Sequence, residues 1–306
     1  MKRTALLLAI LLPVAASFTS CKKDGVYNPK QKISRIYYAY SSPDPFFNSD
    51  KELKEIWDWD GNKLSTIAYY TKKGVDGTEK FSYDGKRLSR VDYVIPDGTN
   101  VAHVLYIYDG RKLDKMEYYS GEELQEIHKY IYDGKKLSKV EVTFYDIFAY
   151  PTSQMAKQWQ TVRSRLFRYA VPEAVCASMD RIVETCINTD TPFRQKEGAS
   201  YTWTINLTWE GKNISKVEYY DPTNELISIQ YSYDKNSNPI YGCYTMGNLD
   251  EECLNAMTCK NNVVSETWND GDRADYTYQY DGKFPISKSV KWVDDEDIET
   301  WYYEYK

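Results

Sequence analysis

The chain has 306 residues, enough for one large core or several small ones. Hydrophobic residues make up 42% and aromatic residues 15%, which excludes disorder despite a mean hydropathy of −0.66. The formal charge of −6 argues against nucleic acid as a partner.

At the N-terminus Lys2 and Arg3 precede an apolar run from Ala5 to Ala16. That is the form of a secretory signal peptide, and the run is too short to span a bilayer. It ends in Phe18-Thr19-Ser20-Cys21, which resembles a bacterial lipobox. The resemblance implies removal of residues 1–20, diacylation of Cys21 and a lipid-anchored protein of the bacterial outer membrane, periplasmic or surface-exposed. Removing Lys2 and Arg3 leaves a mature charge of −8. Residues 21–32, with Cys21 at their head, then read as a polar tether, and residues 33–306 as one β-repeat domain.

Within that domain one pattern recurs, clearest in Tyr130-Ile-Tyr132-Asp-Gly-Lys-Lys-Leu137-Ser-Lys-Val140. Its turn acids fall at Asp60, Asp84, Asp109, Asp133, Glu210, Asp234 and Asp281, with a degenerate copy at Cys259. The usual spacing is 24 or 25 residues, which suits one antiparallel hairpin per copy. Aromatic pairs such as Trp57/Trp59, Phe81/Tyr83 and Tyr106/Tyr108 precede the turns, each pair on one face of its strand. The 30 tyrosines suit such strands, packing a ring while keeping a hydroxyl wet.

Half-copies stand at both ends, Lys32-Ile-Ser-Arg-Ile36 and Trp301-Tyr-Tyr303-Glu-Tyr305. Together they would complete one hairpin. The expectation is a mainly β fold, an up-and-down meander of about 16–18 strands closed into a large barrel. Between Asp133 and Glu210 the strand pattern lapses. Met155, Trp159, Val162, Leu166 and Tyr169 recur at helical spacing, and Pro172-Glu173 opens a second helical stretch. An α-helical hairpin inserted at about 148–198 is expected, and it would plug a ring that wide.

The Tyr-Asp-Gly-Lys-x-Leu-Ser-x-Val repeat resembles a family of Bacteroidetes lipoproteins of unknown function with a porin-like fold. It is more distantly similar to the Tyr-Asp repeats of Rhs shell proteins. The resemblance covers about residues 33–305 and implies a large barrel without catalytic residues. Lys139-Val-Glu-Val-Thr143 alternates charge with apolar residues, and tyrosine stands where a membrane barrel would carry leucine. A water-soluble barrel with its aromatics inward is therefore expected.

No enzyme activity and no cofactor are expected. His103 and His128 sit in no metal or nucleophile motif, and the Asp58-Trp-Asp60-Gly stretch reads as a turn rather than a calcium loop. Cys176, Cys186, Cys243, Cys253 and Cys259 are an odd set whose pairing sequence cannot assign. One disulfide among the last three is expected. The candidate site is a basic rim formed by Lys86, Arg87, Arg111, Lys112, Lys135 and Lys136 at the turns. It would hold an anionic glycan or lipid. The alternative is a structural or assembly lipoprotein of the envelope with no small ligand.

Overall fold

The computed structural model describes residues 24–145, 200–220, 224, 226–245, 258–293 and 295–306. The strands in chain order are β1 (Ile33–Ser41), β2 (Glu52–Asp60), β3 (Lys63–Thr71), β4 (Gly74–Asp84), β5 (Arg87–Val94) and β6 (Asn100–Asp109). Then follow β7 (Lys112–Ser120), β8 (Glu123–Asp133), β9 (Lys136–Tyr145), β10 (Ser200–Glu210) and β11 (Asn213–Tyr220). The last are β12 (Leu226–Tyr233), β13 (Val263–Trp268), β14 (Arg273–Asp281), β15 (Phe284–Trp292) and β16 (Ile298–Tyr305).

Each strand pairs antiparallel with its sequence neighbours, and β1 pairs with β16 to close a 16-strand barrel. Ile33 faces Tyr305, and the Lys306 amide donates to the Lys32 carbonyl at 2.8 Å, so the two half-copies do form one hairpin. The helical hairpin expected at 148–198 lies outside the described residues. The one helical element bounded within the described residues is the 3-10 turn Pro45–Phe47.

Every letter of the repeat has a structural task. Asp133 pairs with Lys136 across a two-residue turn, and Gly134 takes its first central position at φ +56°, the left-handed region that glycine enters without cost. Just beyond each turn the register shifts by one residue, as between Ile131 and Tyr132. The extra residue is a serine in four copies, Ser65, Ser89, Ser138 and Ser215, and Asp114, Val264 and Ile286 in three others. Ser89, Ser138 and Ser215 turn their hydroxyls back to the carbonyls of Ser82, Ile131 and Thr208 at 3.0–3.3 Å. This β-bulge explains why inward residues stand three apart, as in Leu137 and Val140, where an unbroken strand would space them by two.

A bulge also releases backbone groups from the ladder, and such groups need other partners. The second aromatic of the next copy supplies one. Tyr83, Tyr108, Tyr132 and Tyr233 donate to the carbonyls of Leu64, Leu88, Leu113 and Ile214 at 2.6–2.9 Å. Trp59 and Trp209 do the same toward Ile33 and Leu137, and Tyr305 toward Pro285. The aromatic pairs are thus fasteners between neighbouring hairpins. Pro285 occupies a bulge, where a missing N–H costs the sheet nothing.

Eighteen strands do not form, because the copies at Asp234 and Cys259 are halves of one hairpin. Asp234 lacks a following glycine, so no tight turn forms there. Its amide instead reaches the Asn262 carbonyl at 3.0 Å across a loop, and Tyr233 faces Val263 as Tyr132 faces Leu137. The loop's described residues 235–245 lie at the turn end of the barrel and meet residues 24–32 there. Tyr27 donates to the Pro239 carbonyl at 2.8 Å and lies tilted against Trp59, and Tyr244 meets Tyr106 edge-on. Residues 24–32 are therefore no free tether. The Gly25 carbonyl and the Asp24 carboxylate accept from the bulge amides of Leu88 and Leu113 at 2.9 and 3.0 Å. A strand amide left unpaired by its bulge draws this segment in. A cavity of about 10 Å³ remains beneath the plug, bordered by Tyr27, Cys243 and Tyr244.

Candidate functional site

The turn rim comes first. Arg87, Lys112 and Lys136 lie over the rings of Tyr108, Tyr132 and Trp209 at 4.4, 4.4 and 5.8 Å from the ring centres. Arg87 also donates to the Gly110 carbonyl at 2.7 Å, and Lys112 to that of Gly134. Each bridges its own hairpin to the next, as cations over aromatic faces do. Lys86, Arg111 and Lys135 stand exposed at the adjacent turn tips. The six residues share one end of the barrel, but three of them are engaged in holding it together.

Most of the barrel interior follows the repeat. At the position of Val140 stand Ile36, Ile67, Val91, Met116 and Val217, all buried. On the outer face each of four hairpins carries an ion pair that brackets this residue: Arg90–Asp92, Lys115–Glu117, Lys139–Glu141 and Lys216–Glu218, at 2.6–2.7 Å. Charges two apart on a strand share a face, so rings and valines point in while ions point to water. A barrel crossing a membrane needs the opposite arrangement. The expectation of inward aromatics is met.

Two copies break the rule. At the same register β13 has Glu266 and β15 has Lys288, both directed inward, flanked by Ser265/Thr267 and Ser287/Ser289 where the other strands carry ions. Glu266 is 2% exposed, and its Oε1 has no hydrogen-bond partner. Burial pushes its carboxyl up to about 7, against the opposing pull of Tyr276, Lys288 and Trp268. The Lys288 ammonium sits 4.2 Å from the ring centre of Trp301 and 5.7 Å from that of Tyr276. Trp301 meets Tyr38 edge-on at 5.3 Å, and Lys54, ion-paired to Glu52 at 2.9 Å, lies over Tyr38.

The neighbouring strands continue this polar lining. Trp57 donates to Glu55 at 2.6 Å and Tyr69 to Glu79 at 2.9 Å. Burial raises the Glu55 carboxyl to about 7 despite the Trp57 hydrogen bond. From β13 round to β4 the barrel therefore has an inner wall of carboxylates, lysines and half-buried rings. Position by position along the repeat, Val263-x-x-Glu266 and Pro285-x-x-Lys288 were the available signal. It is visible only when departures from the motif are read alongside its matches.

The remaining candidates contribute little chemistry. His128 is buried against Glu126 at 3.2 Å, and His103 stacks on Tyr119 at 4.6 Å. Burial and the Arg90 guanidinium lower the His103 pKa. Cys243 and Cys259 are buried thiols, so no disulfide joins these two, and Cys176, Cys186 and Cys253 lie outside the described residues. The Cys259 thiol accepts from the Ile214 amide at 3.1 Å, another bulge amide. Among the described residues no group of three metal-ligating side chains converges. Cys21 lies outside the described residues.

The chain matches no protein-family model and no curated protein. It is similar to the crystal structure of a porin-like protein from Bacteroides vulgatus, at 10% identity and a TM-score of 0.46, covering 90% of this chain and 99% of that one. A porin-like protein from Bacteroides uniformis gives 8% identity and a TM-score of 0.47, covering 90% and 98%.

Proposed function

We propose that this chain is a lipid-anchored, water-soluble barrel of the bacterial envelope, non-enzymatic, that binds an oligosaccharide on the wall around Glu266 and Lys288. The inversion of polarity on β13 and β15 carries this reading. A repeat that buries an apolar residue elsewhere accepts the desolvation of a carboxylate and an ammonium here. Aromatic faces beside carboxylates and an ammonium suit a sugar, with rings for its apolar face and ions for its hydroxyls. The outward ion pairs and plugged turn end support a barrel in water over a channel. The sequence around Cys21 supports the anchor.

Two measurements test it. A Cys21→Ala variant should lose incorporated palmitate and move from the membrane to the soluble fraction. Soluble residues 22–306 should rise in melting temperature with at least one of maltoheptaose, cellohexaose, chitohexaose or a heparin hexasaccharide, because a ligand bound only to the native state must stabilise it. A flat response to all four removes the binding reading and leaves an assembly role without a small ligand.

A further inference from the structure

The turn end of the barrel holds the start of the described chain. Asp24 is held at the turn end from several directions: its amide donates to the Arg111 carbonyl at 3.1 Å, and its carboxylate accepts from the Leu113 amide and the Tyr132 hydroxyl, both at 3.0 Å. Three peptide units separate Asp24 from Cys21. Whatever their conformation, they span at most about 11 Å. An acyl chain on Cys21 would therefore bring this end of the barrel to within about one Debye length of the lipid headgroups.

The two ends differ in charge. Lys86, Arg111 and Lys135 are exposed at three adjacent turn tips, and beside Arg87, Lys112 and Lys136 they outnumber the single acid of each turn, Asp84, Asp109 and Asp133. At the opposite end Asp97, Glu122, Glu123, Asp270 and Asp272 are exposed and outnumber the exposed Lys51, Lys72 and Lys73. We infer that the turn end is a docking surface for anionic lipid headgroups, with Lys86, Arg111 and Lys135 as its contacts and the acidic end directed away. This rests on acylation of Cys21. It gives the exposed turn cations a partner that the wall around Glu266 does not supply, and it leaves the end opposite the anchor facing the surrounding solution.

The test uses the full processed chain in vesicles of phosphatidylcholine with about one-third phosphatidylglycerol, the anionic fraction supplying the surface potential. The mass of the N-terminal peptide first establishes acylation. A fluorescent amino acid then replaces Lys135 or Asp97, and lipids with nitroxide headgroups quench it. The expected result is strong quenching at 135 and little at 97. Lipid-free Cys21→Ser protein should also sediment with these vesicles at low salt. That binding should fall at least about a hundredfold in the triple variant K86E/R111E/K135E, since three attractive charges near the surface become repulsive. An unacylated Cys21 overturns the anchor and the orientation together. Acylated protein quenched equally at both positions, or sedimentation unchanged in the triple variant, overturns the docking surface alone.

Discussion

Around the inward residue, β5, β7, β9 and β11 read charge, apolar, opposite charge; β13 and β15 read hydroxyl, charge, hydroxyl. Both sets occupy the same register behind the same bulge, so backbone geometry does not distinguish them. In the first set the apolar residue is buried and the ions remain in water, where an exposed pair contributes little either way. In the second set the cost of removing charge from water falls on the barrel interior. One wall is thus built for stability, and the other gives up stability for polar groups facing inward.

Substitutions separate the two walls further, and the largest effect belongs to the plug that serves both. Gly25 has φ +73°, and a Cβ there would lie 2.0 Å from the Tyr108 hydroxyl, which Leu88 and Arg87 hold in place. Gly25→Ala should cost about 2–4 kcal/mol in chemical denaturation, combining left-handed strain with overpacking. Lys288→Met removes the cation facing a buried carboxylate and should cost about 2–3 kcal/mol at pH 8, and less at pH 5, where Glu266 is protonated. The double variant E266L/K288M should instead be neutral or more stable by about 1–3 kcal/mol. Restoring the repeat on that wall removes the desolvation penalty.

Acidity sharpens the same contrast. Glu55 and Glu266 both have their folded pKa raised by burial to about 7. The folded chain then holds these protons more tightly than the unfolded one. Their contribution is complete below the ordinary glutamate range and is lost as pH rises through about 7. Melting temperature should fall between pH 5 and pH 8, and Glu55→Gln or Glu266→Gln should flatten that slope. Glu52 and Glu117, lowered by the ammonium groups of Lys54 and Lys115, act in the other direction, but only at more acid pH. On the stable wall Tyr108→Phe should cost about 1–2 kcal/mol by leaving the Leu88 carbonyl unpaired. Lys139→Ala, which breaks an exposed pair, should cost less than about 0.5 kcal/mol.

The strand order and closure were legible because each depends on local chemistry: Asp-Gly turns, alternating faces and two half-copies that complete each other. The spacing of Leu137 and Val140 was legible as a pattern but not as a bulge, since that needs the partner strand's register. The copy at Cys259 supplies only the strand after a turn, because a longer connection replaces the turn after Asp234. The missing glycine at position 235 was the sign of it. Residues 24–32 looked like a tether because their composition is polar, whereas their fate was set by unpaired amides on Leu88 and Leu113 that no linear reading displays. The basic turn residues were found, but a sequence cannot show that every second one lies over a neighbour's ring. Glu266 and Lys288 are hidden for the opposite reason, since they stand in the copies that depart from the motif.

The most direct test of the division between the walls is a melting experiment on soluble residues 22–306 and on E266L/K288M, each with and without the oligosaccharide that shifts the parent. The double variant should melt at the same or a higher temperature and no longer respond to the sugar. A double variant that melts lower, or that responds as the parent does, would contradict that division.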